Sequence, residues 1–381
     1  GITLEALVAK RTSGLMRPDD APKIEAATRK QFPSGIASYG ADALRYTFAS
    51  LATQGRDVRF DLGRIDGYRN FCNKIWNATR FVLMTLGDKP LSSAPRAASY
   101  GLAERWIRHR LRQSLNAVRE GFDHYRFDFA AQAIYAFVWD EYCDWYIELA
   151  KITLHDNDVP DEVKVATRHT LAVVLEASLR MMHPLVPFIS DELWGKVAPL
   201  LGKRGSTVML EPYPAPDEFA LDEPAAQTLD WMKTVVLGVR RIRAENNLEP
   251  SRRIPLKVVG GSAVERRWLH ALRSHIQHLA RVESIERSEN IDDPNATSTL
   301  AGETTLLVPL LDLLDRDVER ERLTKEIDQM TQDLQRVQQK LANQSFVAKA
   351  PAEVVAKERK RAAELTDQIT RTSNQLARLQ N

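Results

Sequence analysis

Residues 315–381 carry an apolar repeat that leaves a chain few options. Leu323, Ile327, Met330, Leu334, Val337 and Leu341 step by alternating four and three residues, the spacing that keeps one seam of a helix turned toward a partner helix. Val355, Ala362, Leu365, Ile369, Thr372, Leu376 and Leu379 resume the repeat after a break. Two heptad segments split by a short interruption predict an antiparallel coiled-coil hairpin, with its turn between Asn343 and Ala350. Pro351 stands where the second helix should begin, at a first helical position that needs no backbone donor. Arms of about 28 residues are on the order of 40 Å long, so the turn is expected to stand far from the rest of the chain.

Upstream, residues 63–200 read as an antiparallel helical bundle. Ile65, Tyr68, Cys72, Ile75, Val82 and Leu86 recur at helical steps until Gly87, which marks one amphipathic helix. A loop with two prolines follows. A second helix is expected from Tyr100 to Gly121, a third from Phe127 to the loop at His155–Asp158, and a fourth from Pro160 to Met182. His183-Pro184 breaks that helix, and Ser190 is expected to cap a last one. Residues 1–62 read as a small mixed module, with a helix from Gly40 to Ala52, a turn at 54–56 and a short strand over 57–61. Residues 201–314 read as a linker and a small α/β unit, with helices near 225–246 and 263–280 and strands over 254–259, 282–288 and 304–308. The fold class is therefore mainly α.

At 381 residues and 44% hydrophobic, the chain can bury ordinary cores. Its two cysteines, Cys72 and Cys143, lack the spacing of a zinc site and the density of a disulfide scaffold, which fits a reducing cytoplasm. No apolar run approaches a membrane span, and the first residues do not form a signal peptide. The chain opens on Gly1 without an initiator Met, so it is expected to begin inside a larger protein. There is no Gly-rich phosphate loop, nucleophile elbow or Cys-x-x-Cys pair. His275 and His278 have no third ligand near them. A binding module is expected, not a catalyst.

A formal net charge of +2 says nothing about nucleic acid; the distribution of charge does. From Asp315 to Asp333 four basic side chains face seven acidic ones, whereas from Arg336 to Arg361 seven basic ones face two. The basic set is Arg336, Lys340, Lys349, Lys357, Arg359, Lys360 and Arg361. A long arm with a basic tip suits a phosphate backbone; the alternative is an ordinary solvated coiled-coil face, or one that binds another protein. The first bundle helix carries Arg69, Asn70, Asn73, Lys74, Asn77, Arg80 and Phe81. Much of this set can share a face, where amides, a cation and an aromatic could stack on and read an unpaired base; alternatively these residues serve packing. The aromatic run Tyr135, Phe137, Trp139, Tyr142, Trp145 and Tyr146 is expected to be core, and the interleaved Asp140, Glu141 and Asp144 to make structural hydrogen bonds.

These segments resemble a known family. Tyr39-Gly40-Ala41-Asp42-Ala43-Leu44-Arg45 and Gly55-Arg56-Asp57-Val58-Arg59-Phe60 resemble the region after the second signature loop of class I aminoacyl-tRNA synthetases. The stretch from Arg69 to Phe81 resembles the first anticodon-bundle helix of valyl-tRNA synthetases, Asp140 to Glu148 the bundle's aromatic helix, and His183 to Trp194 its closing break. The C-terminal hairpin, with Phe346-Val347 and Ala350-Pro351 at its turn, is similar to that family's ending. The resemblance covers the chain in order. It implies a stem-contact module over residues 1–62, an anticodon-binding bundle over 63–200, a linker and α/β module over 201–314, and a tRNA-binding arm over 315–381. It also implies anticodon contacts from Arg64, Asn73, Lys74, Asn77 and Phe81, and phosphate contacts from the seven basic arm residues. Valine tRNA is the implied partner, with no DNA, no membrane and a monomeric chain. The family's ATP- and magnesium-dependent activation motifs and its editing domain lie upstream, so no cofactor, no metal site and no valine activation are expected of these residues alone.

Overall fold

A computed structural model describes residues 1–53, 61–87, 91, 94–289, 296–309, 316–342 and 352–380. The turn expected at 54–56, all but the last residue of the strand expected over 57–61, the hairpin turn at 343–350 and Pro351 lie outside the described residues. The chain divides into two compact units, Gly1–Leu229 and Asp230–Asn381.

The first unit is helical. Where the sequence predicts a mixed module, α1 (Leu4–Thr12), α2 (Ala21–Gln31) and α3 (Ala41–Leu51) appear. The β structure described there is confined to isolated bridges such as Ile2 with Ile36. Gly35, at φ 75°, is required at that bridge: a Cβ would meet the Ile2 carbonyl oxygen at 2.3 Å. The module is pinned to the bundle through α3. The Asp42 carboxylate accepts from the Phe188 and Ile189 amides, satisfying orphan donors at a helix start where negative charge is favoured. Arg45 donates to the Pro184 and Leu185 carbonyls, and the Tyr46 hydroxyl to the Ala131 carbonyl.

The bundle follows the expected order. α4 (Leu62–Leu86) is capped by Asp61 and ends at Gly87, whose φ of 69° a side chain would resist. α5 is Leu102–Asp123. The third expected helix is one rod with a change of winding: α6 (Phe127–Tyr135), a π-helical segment (Ala136–Tyr146) and α7 (Ile147–His155). α8 is Asp161–Met182 and α9 is Pro187–Val197. Ser190 does not cap the last helix. Pro187 supplies its start, and the Ser190 hydroxyl, one turn in, donates back to the Val186 carbonyl. A buried carboxylate, Glu176, accepts from Arg180, Trp194 and Lys203, and Arg180 also reaches Glu218. This network ties the irregular stretch after α9 to α8.

α10 (Glu223–Glu245) carries the boundary between the units. In the second unit, β1 (Ile254–Gly260), α11 (Ala263–Ala271), α12 (Arg273–Ala280), β2 (Val282–Arg287), β3 (Ala296–Ala301) and β4 (Thr304–Pro309) follow. The sheet order is β2-β1-β4-β3, with β1 and β2 parallel and the other pairs antiparallel. The sequence shows three of these strands. β3, Ala-Thr-Ser-Thr-Leu-Ala, is an edge strand of small and polar residues, so it carries too little apolar alternation to stand out. The helix expected over 263–280 is two helices, because Leu272 leaves the helical region at φ −108°, ψ 12°. Finally α13 (Arg316–Ala342) and α14 (Ala352–Gln380) pack together with Leu323, Val337 and Val355 buried. They run antiparallel: α13 is on the order of 40 Å long, and the nine residues after it span at most about 30 Å. The Lys340–Glu358 ion pair at 3.6 Å joins the last turn of α13 to the beginning of α14. Among the described residues no helix is long and apolar enough to cross a membrane.

One buried acid gives the bundle a pH signature. Glu104 on α5 is 2% exposed, accepts from the Thr167 hydroxyl at 2.9 Å, and has its proton affinity raised by burial. The folded state therefore holds this proton to higher pH than the unfolded chain. Its stabilising contribution is complete below the ordinary glutamate range and is lost as pH rises through the folded value. Urea midpoints measured across acid to neutral pH should fall on that account, and Glu104→Gln should remove that component of the slope.

Candidate nucleic-acid interface

α4 presents a stripe to solvent. Asn70, Asn73, Asn77, Arg80 and Met84 step by alternating three and four, and all are exposed, with Trp76 beside them 44% exposed. The opposite face buries Phe71, Ile75, Ala78 and Val82. The three amides have no hydrogen-bond partner among the described residues, so each offers a donor pair and an acceptor to a ligand. Arg69 is engaged with Asp66 at 2.6 Å and lies over the Tyr39 ring.

Lys74 borders this stripe and is held from beneath. Its ammonium sits 3.7 Å above the centre of the Trp139 ring and pairs with the Asp144 carboxylate. Trp139 is stacked on Tyr135, with centroids 5.4 Å apart and planes 8° from parallel, and Tyr135 stacks in turn on Phe71. The π winding makes this possible. Hydrogen bonds to the fifth residue put about 4.4 residues in each turn, so the steps from Tyr135 to Trp139 and from Trp139 to Asp144 are each close to one turn. In an α-helix those nine residues would span about two and a half turns, and Asp144 would face away from Tyr135. Tyr142 and Tyr146, by contrast, are fully buried as the sequence predicts, with the Tyr142 hydroxyl donating to the Leu171 carbonyl.

The structure brings the expected site residues together only in part. Asn73 and Asn77 share the stripe. Lys74 and Phe81, seven residues apart, share its flank. Phe81 is half-buried with the Lys151 ammonium 5.2 Å from its ring centre, and Lys151 pairs with Glu148. Arg64 lies nine residues before Asn73, two and a half turns away, and so faces the other side of α4. There it lines a cleft of about 530 Å³ with Ser50, Tyr68, Asp128, Gln132 and Tyr135. Trp139 and Asp144 were not among the expected site residues. Their four-and-five spacing with Tyr135 is a signal only to a reader who already knows that the helix widens.

On the hairpin, Arg336 and Lys340 from α13 and Arg361 from α14 line one depression of about 490 Å³. Arg336 pairs with Asp333 at 3.1 Å and Lys360 lies 3.8 Å from Glu364. Lys357, Arg359 and Arg361 are exposed. Lys349 lies outside the described residues. Among the described residues, no cluster of three potential metal ligands occurs.

A family model described as the anticodon-binding domain of tRNA ligase matches residues 104–259, and one described as the valyl tRNA synthetase tRNA binding arm matches residues 315–380. The chain thus belongs to the aminoacyl-tRNA ligases. Curated proteins named valine–tRNA ligase align along its whole length. One from Acinetobacter baylyi is 44% identical over 100% of this chain and 39% of its own length. One from Xylella fastidiosa strain 9a5c is 47% identical over 97% and 38%, and one from Xanthomonas axonopodis pv. citri 45% identical over 100% and 40%. The chain is a member of the valine–tRNA ligase family, matches the C-terminal part of these relatives, and spans about two fifths of their length.

If Trp139 and Asp144 hold Lys74 as described, Asp144→Asn should speed acylation of Lys74 by an amine-reactive reagent about two- to fivefold, the worth of a partly exposed ion pair. Peptide mass spectrometry reads this directly, with exposed Lys196 as the internal reference.

Proposed function

We propose that this chain is the tRNA-holding part of a valine–tRNA ligase, the enzyme that joins valine to its tRNA with ATP and magnesium and hydrolyses mischarged threonyl-tRNA in the cytoplasm. In this reading residues 1–62 contact the stem, 63–200 bind the anticodon arm, 201–314 link, and 315–381 brace the outer corner of the tRNA. The chain works as a monomer, its coiled coil closed within itself.

The observation that carries this reading is the exposed amide stripe of α4, flanked by a lysine held in place from below. Unpaired bases offer hydrogen-bonding edges and π faces, and Asn70, Asn73, Asn77, Arg80 and Trp76 match both. Lys74 supplies a fixed positive charge at the stripe's edge, and Phe81 lies beside it. Arg64, on the other side of α4, contacts a different part of the same arm. The basic tip of the hairpin holds phosphates, which orients the tRNA more than it reads it.

The two halves of this reading predict different losses. Replacing Asn73 and Asn77 together by Ala should reduce discrimination between valine and non-valine anticodons by about thirtyfold, two hydrogen bonds at roughly 1 kcal/mol each. An equal loss for every tRNA would count against base reading. Neutralising Lys357, Lys360 and Arg361 should weaken all tRNAs alike and flatten the salt dependence by roughly 0.7–0.9 per lost contact. Filter-binding titrations across salt concentrations measure both. A hairpin that leaves tRNA binding unchanged when neutralised, and that instead self-associates by light scattering, would favour a protein-interaction role.

A further inference from the structure

The second unit holds an arginine cluster that neither matched family description assigns. It is built around Arg243, near the end of α10, which is 7% exposed. Its guanidinium donates to the carbonyls of Glu249 at 2.7 Å, Arg252 at 2.8 Å and Arg281 at 3.4 Å. A buried guanidinium normally meets a carboxylate; here its described partners are backbone carbonyls, and its positive charge stands. One turn earlier, Arg240 donates to the Leu279 carbonyl at 2.9 Å. These bonds gather the start of β1 and the turn from α12 into β2 around one point. Ile254 completes the closure by donating to the Arg281 carbonyl.

Three more arginines stand on this frame. Arg252 and Arg253 immediately precede β1, and Arg281 immediately precedes β2, the parallel neighbour of β1. All three are exposed, and none has an ion-pair partner among the described residues. Arg281 takes the left-handed conformation, φ 56°, so it caps α12 and turns the chain into β2. Burial and the charge of Arg281 together weaken proton binding at Arg243, which places the two charges close. Glu249, in the turn before β1, accepts from the Ser251 hydroxyl at 2.7 Å.

We propose that Arg252, Arg253 and Arg281 form a phosphate-binding surface on the α/β module that grips the RNA backbone. Guanidinium forks match phosphate oxygens in pairs. Buried Arg243 pins the backbones of Arg252 and Arg281, so less of the chain has to be ordered on binding. RNA is the occupant the observations favour, because Arg252 and Arg253 fall within the residues matched by the anticodon-binding family and Arg281 lies between that match and the tRNA-arm match. The inference rests on the tRNA reading above.

The test uses the whole chain and unmodified valine tRNA, with a triple variant Arg252→Gln, Arg253→Gln, Arg281→Asn. Asn at 281 tolerates the left-handed backbone, and thermal melts should match the parent. The plot of log affinity against log salt should become shallower by about two, equally for tRNAs of different anticodon. Restoring lysine at 252 and 253 should recover part of the slope. An unchanged slope in the triple variant, while the Lys357/Lys360/Arg361 variant flattens its own, would overturn this surface and leave the tRNA reading standing. A parent chain that binds no tRNA would overturn both. If polyglutamate binding responds to the triple variant and tRNA binding does not, the surface takes an acidic peptide and the proposal fails.

Discussion

The packing of the rod from Phe127 to His155 against α4 is the constraint on which the rest of the first unit depends. Phe71 is fully buried in these contacts, with Tyr46 of α3 against it, and Tyr142 and Tyr146 are fully buried on the rod's side toward α5 and α8; rings of this size dominate the apolar area that a helical bundle removes from water. Once Phe71 lies under the stacked Tyr135 and Trp139 rings, the rotation of α4 about its axis is fixed. Its Asn70–Arg80 stripe must then face solvent. The outward presentation of the amides is thus a consequence of where the aromatics go.

Polar anchors refine that arrangement. Asp42 satisfies the start of α9, and Arg45 satisfies the carbonyls left open at the break before it. Two charged and hydrogen-bonded contacts from one helix hold the N-terminal module to the bundle, where apolar burial alone would permit sliding. Glu176 does the same for the stretch after α9, accepting from three donors on three segments. A buried carboxylate with that many partners costs little net stability only if all are present, so it specifies one conformation of the stretch.

The charge distribution differs between the candidate surfaces. The α4 stripe is mostly neutral amides, which suit base edges. The hairpin tip and the arginines at the head of β1 and β2 are cationic, which suits phosphates. The cationic places stand on different scaffolds: a heptad seam in one, and a buried guanidinium that ties three carbonyls in the other.

By itself the sequence determined the periodic elements: the heptad hairpin, the long bundle helices, their order and the strands with apolar cores, because burying a face imposes a period that can be read along the chain. It also exposed the family resemblance through Arg69–Phe81 and the hairpin. Tertiary structure alone decided the rest. β3 exists because β4 offers it an edge, and its own small residues announce nothing. Ser190 lies inside a helix because Pro187 starts that helix earlier. Arg64 parts company with Asn73 because nine residues of α-helix reverse direction. Asp144 meets Lys74 because nine residues of π-helix do not. The π winding of that segment brings Tyr135, Trp139 and Asp144 to one side, where their partners Phe71 and Lys74 come from far away in the chain, and so no local pattern could carry the meeting.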